Sequence, residues 1–112
     1  VLSTGDAARF VRERTEPIWA FVDFDPAGIL IANALPPDRL ERIVLPELDW
    51  LRQAAKTSRG RQLFDQQELS ARPSLERTEH PAVRAAWGEL LALRSGVAQE
   101  RMLLVRGKAS AG

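Results

Sequence analysis

The stretch WAFVDFDPAGILIA, residues 19–32, interrupts an apolar run with two acidic residues, Asp23 and Asp25. Residues 18–24 are otherwise apolar and rich in β-branched and aromatic side chains, which predicts a central parallel strand covered on both faces. Pro26 presets the first turn of a following helix. A carboxylate in such surroundings costs roughly several kcal/mol unless it is paired or bound to a cation. The placement of two carboxylates here therefore needs a chemical reason.

A divalent-metal site is one such reason. Residues two apart on a strand face the same side, so a strand that ran to residue 25 would bring Asp23 and Asp25 together. The carboxyl end of a parallel strand borders the crevice in which open α/β sheets bind ligands. Two close carboxylates repel each other unless a cation lies between them, and Mg²⁺ prefers oxygen ligands. Plainer roles also remain open: Asp23 as a helix cap, and Asp25-Pro26 as an ordinary helix-opening turn.

The rest of the chain alternates strand-like and helix-like segments in its first half and becomes helical in its second. Gly96 is a candidate break in the last helix, and His80 before Pro81 is typical of a helix start. We expect strands at residues 1–4, 18–24 and 42–45, helices at 7–14, 28–35, 46–56, 62–70 and 81–104, a loop at 57–61 and a turn near 72–73. This alternation indicates an α/β fold with a parallel sheet flanked by helices.

Composition narrows the functional classes. The chain has 112 residues, enough for one domain, and a net charge of +1 that indicates no polyanionic partner by itself. It contains no cysteine, which excludes disulfides, thiolate metal sites and cysteine catalysis, and fits a cytoplasmic location. No apolar run reaches the roughly 20 residues that span a membrane, so we expect no membrane partner. Phosphate-binding glycine motifs of nucleotide-dependent enzymes are absent from the sequence.

A basic run leaves the expected helix 46–56 and enters the expected loop. Its members are Arg52, Lys56, Arg59 and Arg61. Such a cluster can bind DNA phosphates, and the affinity would then depend on salt. The commoner role of such a run is a solvated charged face. We take these four residues as candidate DNA-binding positions.

The segment FVDFDPAGILIA, residues 21–32, resembles the acidic-motif strand of Toprim domains. The resemblance is to the branch with the topoisomerase VI A subunit, the meiotic double-strand-break proteins and the Wadjet nuclease subunit. There the motif is a strand, D-x-D, proline or a similar residue, an optional small residue, glycine and an apolar helix. The matching positions are Asp23, Asp25, Pro26, Ala27 and Gly28. VLSTG, residues 1–5, resembles the strand and turn that precede the motif, and SGVAQERMLL, residues 95–104, is similar to a late helix of the Wadjet-type nucleases.

This resemblance implies a single Toprim-like, Rossmann-like domain over residues 1–112. It implies cleavage of DNA phosphodiester bonds with Mg²⁺, or alternatively Mn²⁺, held by Asp23 and Asp25 as the catalytic residues. Glu100 is a candidate third metal ligand. Toprim domains carry a glutamate on an earlier strand that has no counterpart here, so we expect a fragment of a larger DNA-processing assembly, lacking its first strand and inactive in isolation. Homodimerisation is left open.

Two other functions are compatible with the sequence. In the first, a non-catalytic Toprim-like domain uses its long C-terminal helix to bind a protein partner. Exposure of Trp87 and Leu91 on one apolar stripe, or an internal arginine that neutralises the aspartates, would favour it. In the second, the acidic cluster belongs to a phosphoacceptor domain like that of response regulators. That class needs a lysine after a later strand, and strand 42–45 is followed by Pro46 instead.

Overall fold

A computed structural model describes residues 15–103 of the chain. Two strands and four helices follow one another in the order β1 (Ile18–Ala20), α1 (Pro26–Asn33), β2 (Leu40–Ile43), α2 (Leu48–Ala54), α3 (Ser58–Arg77) and α4 (Pro81–Leu93). A further helical segment begins at residue 99. The strand expected at residues 1–4 and the helix expected at 7–14 lie outside the described residues.

The sheet confirms the expected α/β class and the parallel pairing. Strands β1 and β2 run parallel, with Ile18 opposite Leu40 and Ala20 opposite Ile43. Helix α1 connects them, as a parallel pair requires a crossover. Within residues 15–103 the sheet has two strands. None of the helices in this range is long and apolar enough to cross a membrane.

Strand β1 is shorter than the predicted strand at residues 18–24, and this prediction was wrong at its C-terminal end. The ladder stops at Ala20, and Phe24 instead forms an antiparallel bridge with Val97. Both backbone hydrogen bonds of that bridge measure 2.9 Å. The Phe24 side chain is fully buried. The apolar character of this run therefore reflects burial in the core, which the sequence pattern alone does not distinguish from continued strand pairing.

Residues 57–61, expected to form a loop, instead begin helix α3. Thr57 is the N-cap, and its hydroxyl oxygen accepts a hydrogen bond from the backbone N–H of Gly60 at 2.9 Å. Threonine is a favoured N-cap residue because its oxygen satisfies an N–H group that the first turn leaves free. The short polar segment is thus a helix start.

Helix α3 also continues through Pro73, where a turn was expected near residues 72–73. Arg72 forms salt bridges with Glu68 and Glu76, which lie one turn before it and one turn after it, so the pairs span the proline. Pro73 is exposed, so water can reach the backbone carbonyl that loses its usual helical donor. Side-chain pairs at this spacing support a helix, and the proline does not end it.

Helix α4 is also shorter than the helix predicted over residues 81–104. It ends at Leu93, and Arg94 takes a left-handed conformation with φ 50°. The break includes Gly96, as the sequence indicated. His80 is confirmed as the residue that starts the helix, because its ring accepts a hydrogen bond from the backbone N–H of Ala82.

One hydrophobic core joins these elements. Helix α1 contacts α3 and α4, and α4 also contacts β2. The rings of Phe64 and Trp87 stack with centroids 6.5 Å apart. The largest side chains with no exposed surface include Phe24, Phe64, Ile29, Leu51, Leu90 and Met102. Because the buried Phe24 pairs with Val97, the segment that precedes α1 is held against the C-terminal part of the described chain.

Candidate functional site

Asp25 lies at the start of helix α1 and is its N-cap. Its backbone is extended, with φ −149° and ψ 168°, and Pro26 occupies the first helical position. The carboxylate oxygen Oδ1 accepts a hydrogen bond from the backbone N–H of Gly28 at 2.7 Å. The residue is only 5% exposed. The helix-opening turn considered from the sequence is therefore present, and it holds a buried carboxylate.

The surroundings of Asp25 raise its pKa above the ordinary value of 3.8. Burial is the largest cause, because removal from water disfavours the charged form. The negative charge of Asp23 raises the pKa further. The hydrogen bonds from Gly28 and from the side chain of Gln67 act in the opposite direction. Gln67 also accepts a hydrogen bond from the backbone N–H of Ala27 at 3.0 Å, so it is held against the first turn of α1.

Asp23 caps a helix, but a distant one. Its Oδ1 accepts a hydrogen bond from the backbone N–H of Gln99 at 2.6 Å, where the last described helical segment begins. The side chain of Gln99 donates in return to the backbone carbonyl of Phe21 at 3.1 Å. The two carboxylates flank Phe24, which pairs with Val97 in an antiparallel bridge, and the backbone of Asp25 is extended. Strand β1 itself does not reach them, since it ends at Ala20. Residues 23–25 are the acidic turn.

Two glycines permit the close approach of backbone to this acidic turn. A Cβ atom on Gly28 would lie 2.0 Å from the backbone oxygen of Asp23. A Cβ atom on Gly96 would lie 2.9 Å from the Cβ atom of Asp25. Real Cβ atoms do not approach other atoms so closely, so both positions require glycine. The glycine of the D-x-D-P-A-G motif therefore has a steric reason that the spacing alone did not reveal.

The donor set of the pair fits a hard divalent cation. Mg²⁺ is bound in many proteins by one or two carboxylates together with water and phosphate oxygens. A buried carboxylate whose pKa is raised by burial and a like charge is the group that such a cation would stabilise in its ionised form. Glu100, the candidate third ligand, is exposed. Among residues 15–103 no three Asp, Glu, His or Cys side chains gather into a metal-binding cluster.

The structure divides the four candidate DNA-binding residues into two groups. Arg52, Lys56 and Arg61 line one cleft of about 390 Å³, together with Ser95. Arg59 is exposed and does not line that cleft. Arg52 forms salt bridges with Asp49 at 3.4 Å and with Glu89 at 3.7 Å. The remaining lining residues are Gln53, Ala55, Ala92 and Leu93.

Sequence reasoning missed Gln99 and Gln67, which contact the acidic turn and the start of α1, and Ser95, which bonds to the end of α2. Gln99 lies in the stretch that resembles a late helix of Wadjet-type nucleases, and that stretch was the available signal. Gln67 is one glutamine among polar residues of α3, and nothing in the local pattern distinguishes it. Ser95 is buried, and its hydroxyl donates to the backbone carbonyl of Ala55 at 2.5 Å. These contacts join segments that are 40 or more residues apart.

Comparison with known proteins identifies a family without an assigned activity. Neither the curated proteins nor the solved structures contain a match to this chain. A family model described as a domain of unknown function, DUF7281, matches residues 3–108. The chain therefore belongs to the DUF7281 family.

Proposed function

We propose that this domain binds Mg²⁺ at Asp23 and Asp25 and processes DNA phosphodiester bonds, as a Toprim-type domain within a larger protein. The observation that carries the proposal is the buried carboxylate of Asp25, whose pKa is raised by burial and by the neighbouring Asp23. Although each carboxylate caps a helix, the burial of Asp25 and its repulsion by Asp23 oppose folding. Such an arrangement is typical of sites that bind a cation.

The residues of the chain have distinct positioning roles in this proposal. The backbone N–H of Gly28 holds Asp25, Gln67 holds the adjacent Ala27, and the backbone of Gln99 holds one oxygen of Asp23. The second oxygen of Asp23 then remains to bind a cation. When bound, Mg²⁺ would neutralise charge on the scissile phosphate and lower the pKa of a coordinated water. No residue of this chain is assigned to the glutamate that Toprim domains supply from an earlier strand.

The features that would favour a protein-interaction domain are weaker in the structure. Trp87 is only 5% exposed and stacks on Phe64 inside the core, so it contributes no apolar stripe for a partner. No lysine or arginine among residues 15–103 forms a salt bridge with Asp23 or Asp25. The acidic pair is thus not neutralised by a cation of the described chain, which supports the metal-binding proposal.

Isothermal titration calorimetry with Mg²⁺ and Mn²⁺ tests this proposal. The informative variant is the double substitution Asp23→Asn/Asp25→Asn. Asparagine retains an oxygen that accepts from Gly28 and Gln99, so the substitution removes charge and preserves the caps. The matched control is Asp38→Asn/Asp65→Asn, which removes two exposed carboxylates elsewhere.

We expect the wild type and the control variant to bind the ion and the Asp23→Asn/Asp25→Asn variant to lose binding. Equal binding by all three proteins would place the ion elsewhere and refute the proposal. If the wild type binds no ion, the titration is repeated on a longer chain that includes the preceding segment. Absence of binding there as well would refute the metal site, and binding there would justify a plasmid-cleavage assay on the longer chain.

A further inference from the structure

A second site follows from the cleft that Arg52, Lys56, Arg61 and Ser95 line. The cleft has a volume of about 390 Å³, and no aspartate or glutamate of the described chain lines it. It lies where the end of α2, the start of α3 and the end of α4 meet. Since the whole chain carries a net charge of only +1, this concentration of positive charge is local.

Two of the cleft cations are available to a ligand. Lys56 and Arg61 are exposed and form no salt bridge with any residue from 15 to 103. Arg52 shares its charge with Asp49 and Glu89. Arg61 belongs to the first turn of the 20-residue helix α3, where the helix dipole adds partial positive charge. The chemistry of the cleft therefore suits a phosphate group.

The cleft lies beside the acidic pair. Ser95 lines the cleft. The next residue, Gly96, packs against Asp25, since a Cβ atom on Gly96 would lie 2.9 Å from the Cβ atom of Asp25. The backbone N–H of Gly96 donates to the carbonyl of Gly60 at 2.9 Å, which fixes this segment against the first turn of α3. One backbone segment thus separates the basic cleft from the acidic turn. A duplex that contacts both sites would therefore bridge this segment.

We propose that this cleft binds a backbone phosphate of duplex DNA next to the phosphate that is processed at the acidic pair. The choice of nucleic acid rests on the proposed function, because repeated phosphates are needed to occupy both sites together. Lys56 and Arg61 supply the charge, and Arg52 contributes less because it is paired with carboxylates. Arg59, which does not line the cleft, has no part in the site.

Fluorescence anisotropy with a labelled DNA duplex, in EDTA and at several salt concentrations, tests this site without any metal. The test variant is Lys56→Gln/Arg61→Gln. The matched control, Arg59→Gln/Arg84→Gln, removes the same number of charges from exposed positions outside the cleft. Circular dichroism checks that each variant retains the fold.

We expect Lys56→Gln/Arg61→Gln to weaken binding roughly tenfold at moderate salt, and to reduce the slope of log K against log salt by about 2. The control should change the affinity by less than about twofold, because salt screens charges outside the contact. Equal losses in the two variants would show diffuse attraction and refute the cleft. If neither the wild type nor the variants bind the duplex, the proposed phosphate site is refuted as well.

The same assay separates this proposal from the metal site. Asp23→Asn/Asp25→Asn should bind the duplex at least as tightly as the wild type in EDTA, since it removes two negative charges near the path of the DNA. Loss of cation binding in calorimetry together with retained duplex binding would leave the cleft supported. Displacement of the duplex by a phosphorylated peptide at equal phosphate concentration would contradict the choice of nucleic acid.

Discussion

The backbone N–H of Gln99 donates to Oδ1 of Asp23 at 2.6 Å, across 76 positions of the sequence. This bond ties the start of the last described helical segment to the turn that precedes α1. The Phe24–Val97 bridge lies directly beside it. The acidic turn is therefore held by two sets of contacts. Asp25 bonds to the first turn of α1, which follows it directly, and Asp23 and Phe24 bond to the C-terminal segment.

Removal of the Gln99 donor should destabilise the protein. Gln99→Pro deletes the backbone N–H, and proline is tolerated at a first helical position. Gln99→Ala deletes only the side-chain bond to Phe21. Because a hydrogen bond to a charged group contributes about 1.5–3 kcal/mol, we expect Gln99→Pro to lower the free energy of unfolding by about 1–2 kcal/mol more than Gln99→Ala. Urea denaturation of both variants measures the difference, and equal values would show that Asp23 gains nothing from this donor.

The raised pKa of Asp25 should make Asp25→Asn more stable than the wild type at neutral pH. A carboxyl group whose pKa is higher in the folded state stabilises the fold when protonated. That contribution is fully present below the unfolded value of 3.8 and is lost as the pH rises through the folded pKa. Asparagine retains the N-cap bond to Gly28 and cannot ionise.

The difference in unfolding free energy between Asp25→Asn and the wild type should therefore shrink as the pH falls from neutral toward 3.8. Denaturant titrations across this range measure it. Asp65→Asn, on the exposed surface of α3, is the control and should not reproduce the effect. Added Mg²⁺ should stabilise the wild type at neutral pH and leave Asp25→Asn unchanged. A variant that is less stable than the wild type at every pH would contradict the burial argument.

Two glycine substitutions should have opposite effects on stability. Gly28→Ala places a Cβ atom 2.0 Å from the backbone oxygen of Asp23, so backbone must move, and we expect a loss of about 3 kcal/mol or more. Gly88 lies in α4, and a methyl group added there would meet no neighbouring element or side chain within 4 Å. Gly88→Ala should therefore stabilise the protein by about 0.5–1 kcal/mol through helix propensity. Thermal denaturation of both variants compares them, and a stable Gly28→Ala protein would refute the close approach.

His80 should contribute to stability through both ring nitrogens. Nδ1 accepts from the backbone N–H of Ala82 at 3.1 Å, so Nε2 carries the proton and donates to the carbonyl of Leu40 at 2.7 Å. His80→Ala loses both bonds and should lower the unfolding free energy by about 1–2 kcal/mol. His80→Asn keeps a capping oxygen and should lose less. Equal losses in a chemical-denaturation series would mean that only the bond to Leu40 matters.

Much of the architecture was predictable because its signals are local. Asp25-Pro26 opens α1 through contacts that span four residues, and His80-Pro81 opens α4 in the same way. The helix break that includes Gly96 and the parallel pairing of the two strands were also predicted, from the glycine and from the alternation of strand-like and helix-like segments. Capping, proline geometry and hydrophobic periodicity act over one or two turns, so they can be interpreted without the fold.

Tertiary structure decided what these local signals leave open. β1 stops at Ala20, Phe24 pairs instead with Val97, and Asp23 caps a helical segment near the other end of the described chain. The cleft forms because the ends of α2 and α4 meet the start of α3, which selects Lys56 and Arg61 and leaves Arg59 outside. Burial and pairing depend on contacts between segments roughly 40 to 80 residues apart, and no pattern within one segment encodes the partner that packing in the core will supply.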